Sequence, residues 1–291
     1  MRGALAATLV LVATILSPFA ITAVWLSSTA DSTDAYVDTV APLADDPTLR
    51  AELANRMSQA AVAELQQRLP VAVPDGIDEM TGAAARQVVA DSGFPDFWRE
   101  ANRDAHREFL RVMNEHGGNP NGWVTVDLSP LMVDVYQHLG DATGLPVAGI
   151  PTPELRVPVA RESQLAKYRT AYRVLDGAGL VLAVTWVLLV GLAALVARGW
   201  RGRLRAIGVA ALGLAVGGLL VRVGTPPVVH ALAHQADPGQ RALVQLILGV
   251  VGDSLRSRAT MVAVAAAVVG LGLVVVTLLP GRRTSSAQSW G

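Results

Sequence analysis

The chain contains no cysteine. Disulfides, thiolate nucleophiles and cysteine-ligated zinc are therefore excluded. Lysine is nearly absent as well: Lys167 is the only one, so arginine carries the positive charge. The 24 basic and 24 acidic side chains cancel to a formal net charge of zero. The polar part of the chain has no basic excess, so it lacks the electrostatic footprint of a nucleic-acid binder. There is no glycine-rich phosphate loop and no internal repeat. The long apolar runs hold almost no ionisable group, which leaves a transmembrane proton relay nothing to be built from.

What is present is apolar surface. Of 291 residues, 52% are hydrophobic, and mean hydropathy is +0.40. That is too apolar for one soluble domain, yet residues 31–162 are polar and acidic. The pattern reads as a membrane protein with one sizeable aqueous domain, large enough to be held by a core alone.

The run 176–197 organises the rest. It has the roughly 20 apolar residues that a helix needs to cross a bilayer core. Arg198, Arg201, Arg203 and Arg205 follow at once, and the bias of arginine toward the cytoplasm places that end inside. The expected fold is an all-α membrane protein with four transmembrane helices. The predicted order is an anchor over 1–28, an extracytoplasmic helical domain over 29–173, and a second span over 174–197. A cytoplasmic arginine-rich loop (198–203), a third span (204–223), and an external helical connection and stem (224–258) come next. A fourth span over 259–280 and a cytoplasmic tail over 281–291, carrying Arg282 and Arg283, complete it. Both termini then face the cytoplasm, across the inner (plasma) membrane. The first apolar run, about 23 residues, exceeds the ~7–15 of a signal-peptide core and reads as an uncleaved anchor. In the third span Gly213 and Gly217 have the GxxxG spacing that lets helices approach closely in lipid.

Within the polar section, Leu49, Leu53, Met57, Ala61, Leu65 and Leu69 recur every four positions, which predicts an amphipathic helix ended by Pro70. Ile77, Met80, Ala84 and Val88 suggest a second helix. A third opens at Pro95, with Phe94, Phe97, Trp98, Ala101, Ala105, Phe109, Val112 and Met113 as its buried stripe. Its other face carries Arg99, Arg103, Arg107 and Arg111 beside Glu100, Asp104 and Glu108, a spacing that laces acid to base. Residues 123–127 and 155–160 alternate like two short strands that would pair. Between them Ser129 caps a helix with Pro130 at its first position, closed by Gly140. From Glu162 a single helix is predicted to run into the second span, about 54 Å long over 162–197, with Tyr168 and Tyr172 at the membrane interface. Arg222, at the end of the third span, is placed to snorkel.

Candidate chemistry is sparse. His230 and His234 are four apart, on one face if that segment is helical, but lack the glutamate of a zinc protease and a third ligand. Asp31, Asp34, Asp38, Asp45 and Asp46 lack the pattern of a calcium loop and read as helix N-terminal acids. Glu100, Asp104 and Glu108 face arginines. Ser163 and Ser254 have no base in view. The reading is of no catalytic, cofactor or metal residue, hence not an enzyme.

Residues 23–26 (AVWL), 33–47 (TDAYVDTVAPLADDP), 97–103 (FWREANR), 124–128 (VTVDL), 164–166 and 172–176 resemble a family of actinobacterial integral membrane proteins. The resemblance implies four spans and brings no activity, ligand or site. Two function classes remain. The first is a non-enzymatic membrane-anchored protein whose external domain binds an envelope protein, a lipid or cell-wall material. The second is a transport component, similar in plan to the permease subunits of MacB- and FtsX-type ABC systems. The oligomeric state is left open.

Overall fold

A computed structural model of the protein describes residues 2–68, 76–114, 122–144, 151–236, 239 and 241–279. Leu69, Pro70 and the tail with Arg282 and Arg283 lie outside the described residues. The described chain divides into two compact units, one of residues 2–24, 178–224 and 255–279, the other of residues 25–177 and 225–254.

The first unit is built from α1 (Arg2–Trp25), α7 (Glu162–Val196), α8 (Gly199–His234) and α9 (Arg241–Leu278), which contribute all or part of their lengths. All four are long and apolar enough to cross a membrane, with apolar windows of mean hydropathy 2.1 to 2.7. Leu180, Leu195, Val223 and Leu278 stand 69 to 77% exposed. Such a continuous apolar exterior is untenable in water and natural in lipid. Small residues do the packing inside. Ala13, Ala193 and Ala210 are fully buried, and side-chain carbons on several glycines would collide with neighbouring helices. One at Gly213 would overlap Thr14 of α1, and one at Gly217 would stand 2.5 Å from Ser17 Cβ. One at Gly218 would meet the Ala259 carbonyl oxygen at 2.7 Å, so α8 and α9 are in near-backbone contact there. Polar groups are satisfied locally, as hydrocarbon requires. Trp186 Nε1 donates to Ser17 Oγ at 3.0 Å, and Ser17 Oγ donates to the Ala13 carbonyl at 2.8 Å. Arg222 is bonded: its Nη1 donates to Thr260 Oγ1 at 2.8 Å.

The second unit has a conventional core of large side chains. After a π-helical turn (Leu26–Ala30) come α2 (Thr33–Val40), a 3₁₀ turn (Ala41–Asp45), α3 (Pro47–Arg68), α4 (Ile77–Ala90) and α5 (Phe94–Asn114). Strand β1 (Trp123–Asp127), α6 (Ser129–Thr143) and β2 (Arg156–Arg161) follow. Asp46 starts α3, its Oδ1 accepting the Thr48 and Leu49 N–H groups at 2.8 and 3.0 Å, with Pro47 at the first helical position. One face of α3 buries Leu49, Leu53, Met57, Ala61 and Leu65 against α4 and α6. Trp98 is wholly buried and donates its indole N–H to the Val40 carbonyl at 3.0 Å, tying α5 to the end of α2. Leu243 and Ile247 of α9 join the same core. The strands pair antiparallel with an irregularity between Val124 and Thr125, opposite Pro158, which has no N–H to give.

The structure differs from the sequence reading at several boundaries. Residues 199–203 are not a loop: Gly199, at φ 70°, makes the turn out of α7, and Arg201, Arg203 and Arg205 lie on the opening turns of α8. That helix does not stop at 223 either. It passes Pro226 and Pro227 without a break and ends at His234. Ser129 is not a cap. Its Oγ accepts the Leu155 N–H at 2.9 Å, while Asp127 Oδ1 accepts the Ser129 N–H. Gly140 is internal to α6, which closes at Gly144 with φ 67°. Met80 is 43% exposed rather than buried. Tyr172 is buried and donates to Asp31 Oδ1 at 2.8 Å.

Two substitutions separate these modes of packing. Trp98→Ala is expected to cost about 3–5 kcal/mol, seen as an early thermal transition of the purified protein in detergent. Gly213→Leu with Gly217→Leu should lower thermal stability or helix association while leaving the second unit's near-ultraviolet dichroism intact. Unchanged stability and oligomer size would refute that packing.

Candidate functional site

Charge is the first thing to place. On α5 the pairs Arg103–Glu100, Arg107–Asp104 and Arg111–Glu108 all form at i, i+3. Arg103 also reaches across to Asp34 of α2 at 3.7 Å, and Arg99 pairs with Asp38 of α2 at 2.9 Å. The Arg111 hydrogen bond holds the Glu108 carboxyl below the usual carboxylate range. These carboxylates face solvent and partner cations, so each pair contributes about 0.2–1 kcal/mol and none is set up as an acid–base couple. Asp45 pairs with Arg50, and Ser254 Oγ accepts from Trp25 Nε1 at 3.4 Å. Among the described residues no three or more His, Asp or Glu converge as a metal site would require. His230 and His234 do face one another, with their Nε2 atoms 2.9 Å apart.

A polar knot inside the second unit escaped the sequence reading. His106 is 4% exposed. Its Nε2 lies 2.9 Å from the Ala30 carbonyl and its Nδ1 3.2 Å from Thr33 Oγ1. A carbonyl only accepts, so in the neutral ring the proton sits on Nε2 and Thr33 donates to Nδ1. Tyr36 stacks on the imidazole at 4.2 Å, and burial pushes its phenol up to about 12. Asn102, one turn earlier, is buried too and donates to the Trp98 carbonyl at 2.8 Å. Asn102 and His106 share the helical spacing of Trp98, Phe109 and Met113, which was the available signal.

A concave surface lies where the end of α4, the start of α5 and α6 meet, a groove of about 480 Å³. Phe94, Phe97 and Leu131 supply apolar and aromatic wall; Asp91, Asp134 and His138 supply the polar part. Asp91 is held in place because its Oδ1 accepts the Gly93 N–H at 2.7 Å. His138 Nδ1 lies 2.7 Å from the Asp134 carbonyl oxygen. In the neutral ring its proton is therefore on Nδ1, and Nε2 keeps a lone pair. Neither Asp91 nor Asp134 takes part in an ion pair among the described residues. Two carboxylates and an imidazole acceptor beside aromatic rings suit a ligand with a positive, donor-rich tip and an apolar body. Nothing in the sequence singled out Asp91, Asp134 or His138: Asp91 lies just past the end of α4, and the other two lie on the polar face of α6.

Comparison with family models, with curated proteins and with solved structures returned no match.

Burial lowers the His106 pKa below the ordinary 6.5, outweighing the upward pull of the Ala30 carbonyl and of Asp31. The unfolded chain then binds the proton more readily than the folded one. Its contribution to stability is complete above about 6.5 and is lost as pH falls from there toward the folded value. The unfolding midpoint should drop between pH 7.5 and 5.5, and His106→Gln should flatten that dependence.

Proposed function

We propose that the protein is a non-enzymatic, multi-pass protein of the plasma membrane whose helical unit lies on the extracytoplasmic side and binds an envelope partner. The observation that carries this reading is the α4–α5–α6 groove on a unit with its own large-residue core. Its chemistry favours a protein partner that inserts an arginine or lysine side chain, the alkyl stem against Phe97 and Leu131 and the charge between Asp91 and Asp134. The placement outside rests on the arginines after the second apolar run, Arg198, Arg201, Arg203 and Arg205. The runs that resemble an actinobacterial membrane family agree with such a protein.

The element order favours a second reading, a transport component. One apolar helix, a large unit and three further apolar helices is the plan of MacB- and FtsX-type permease subunits. Here only Ala197 and Arg198 separate α7 from α8. That leaves no length for a helix coupling to an ATPase, so we rank this reading second.

The chain's lack of cysteine makes topology directly measurable. Glu154→Cys should react with an impermeant maleimide in intact cells, and Gly202→Cys only after lysis; the reverse pattern would sink the placement. A photo-crosslinking residue at Gln87 or Asp134 should yield a discrete protein adduct, abolished by Asp91→Lys with Asp134→Lys, while one at Glu154 should not. A lipid or glycan adduct would replace the partner class. Co-purification of an ATPase would favour the transport reading.

A further inference from the structure

We propose that His230 and His234 form a two-nitrogen site for a divalent transition-metal ion, at the C-terminal end of α8. The two residues are one helical turn apart, and both are exposed. Their Nε2 atoms converge to 2.9 Å, with the rings near perpendicular at 78°. In the metal-free pair one Nε2 carries the hydrogen and the other accepts it. The donor ring becomes a ligand by the neutral tautomer change, losing its Nε2 proton to solvent and taking one at Nδ1. No net proton is consumed, and both Nε2 lone pairs become available to one ion once the exposed rings turn off the line joining the nitrogens.

Two exposed imidazoles one helical turn apart can take adjacent (cis) positions on one ion with metal–nitrogen bonds of roughly 2.0–2.1 Å. Imidazole nitrogen in tetragonal geometry suits copper(II) and nickel(II), and copper(II) heads the affinity order of the series. His234 is the last residue of α8, where the helix dipole favours a cation. Among the described residues no further histidine or carboxylate completes a three-member group. An ion held by both imidazoles clamps the last helical turn from His230 to His234.

The test uses the full chain in detergent with copper(II), nickel(II) and zinc(II) salts as probes. The chain has five histidines, so the comparison must separate this pair from the others. Wild-type protein is expected to bind one copper(II) at least tenfold more tightly than His230→Ala, His234→Ala or the double variant. It should show two-nitrogen hyperfine structure in its electron paramagnetic resonance spectrum, and weaker binding of nickel(II) and zinc(II). His234→Ala with Ala231→His keeps two imidazoles but turns them to different faces, and should bind like the single variants. Equal copper affinity in wild type and the double variant overturns the site, as does a spectrum with one nitrogen. Both residues are exposed, so the variants should fold; an unchanged circular dichroism spectrum checks this independently of metal.

Discussion

Hydrocarbon offers no hydrogen bond, and that constraint shapes this chain more than any single contact. Every backbone N–H and C=O at membrane depth must be paired inside its own helix, and about 20 residues suffice for the crossing. Yet α7, α8 and α9 run for 35, 36 and 38 residues. The surplus is put to use. The first half of α7, the end of α8 and the start of α9 belong to the second unit, where Leu243 and Ile247 enter a core made otherwise by the segment from α2 to β2. Each of these helices is long and apolar enough to cross a membrane, and each also contributes part of its length to the second unit.

The two units accordingly use opposite side chains for cohesion. In water a buried Leu, Met or Trp is favoured because burial removes apolar area from solvent, and the second unit is filled with Leu49, Leu53, Met57, Leu65 and Trp98. In lipid that gain is absent, because the alternative neighbour is equally apolar. Close approach then does the work. Gly213 and Gly217 admit Thr14 and Ser17 of α1, and Gly218 admits the Ala259 backbone. The hydroxyls on α1 pay no penalty there: Thr14 and Ser17 donate to the carbonyls four residues back.

Where a physical signal was strong and local, the sequence was readable. The four-residue recurrence from Leu49 to Leu65 predicts the buried face of α3, and the run from Glu162 predicts one helix through to 196. The misreadings have specific causes. The third span is expected to stop at 223, before Pro226 and Pro227, since proline removes an N–H and crowds the preceding turn; in the structure α8 continues through both. The arginines after α7 were read as a loop because charge pattern reports side of the membrane, not backbone conformation. Asn102 and His106 were passed over because polar residues are discounted on an apolar stripe, although their carbonyl bonds make burial tolerable. The groove was invisible for a different reason. Asp91, Phe97 and Asp134 come from separate elements, and only tertiary packing makes them neighbours.

That distinction also decides which charges matter. The α5 ladder is the most conspicuous electrostatic pattern in the sequence, yet every carboxylate in it already has an arginine, on α5 itself or reaching α2. A partner binding there would first have to break those pairs, exchanging one exposed ion pair for another at little net gain. Asp91 and Asp134 present acceptor oxygens with no cation among the described residues to displace, next to rings that favour a cation and an alkyl stem. Recognition is therefore expected at the quiet groove rather than on the heavily charged helix. Arg99 and Arg103 of the ladder also link α5 to Asp38 and Asp34 of α2.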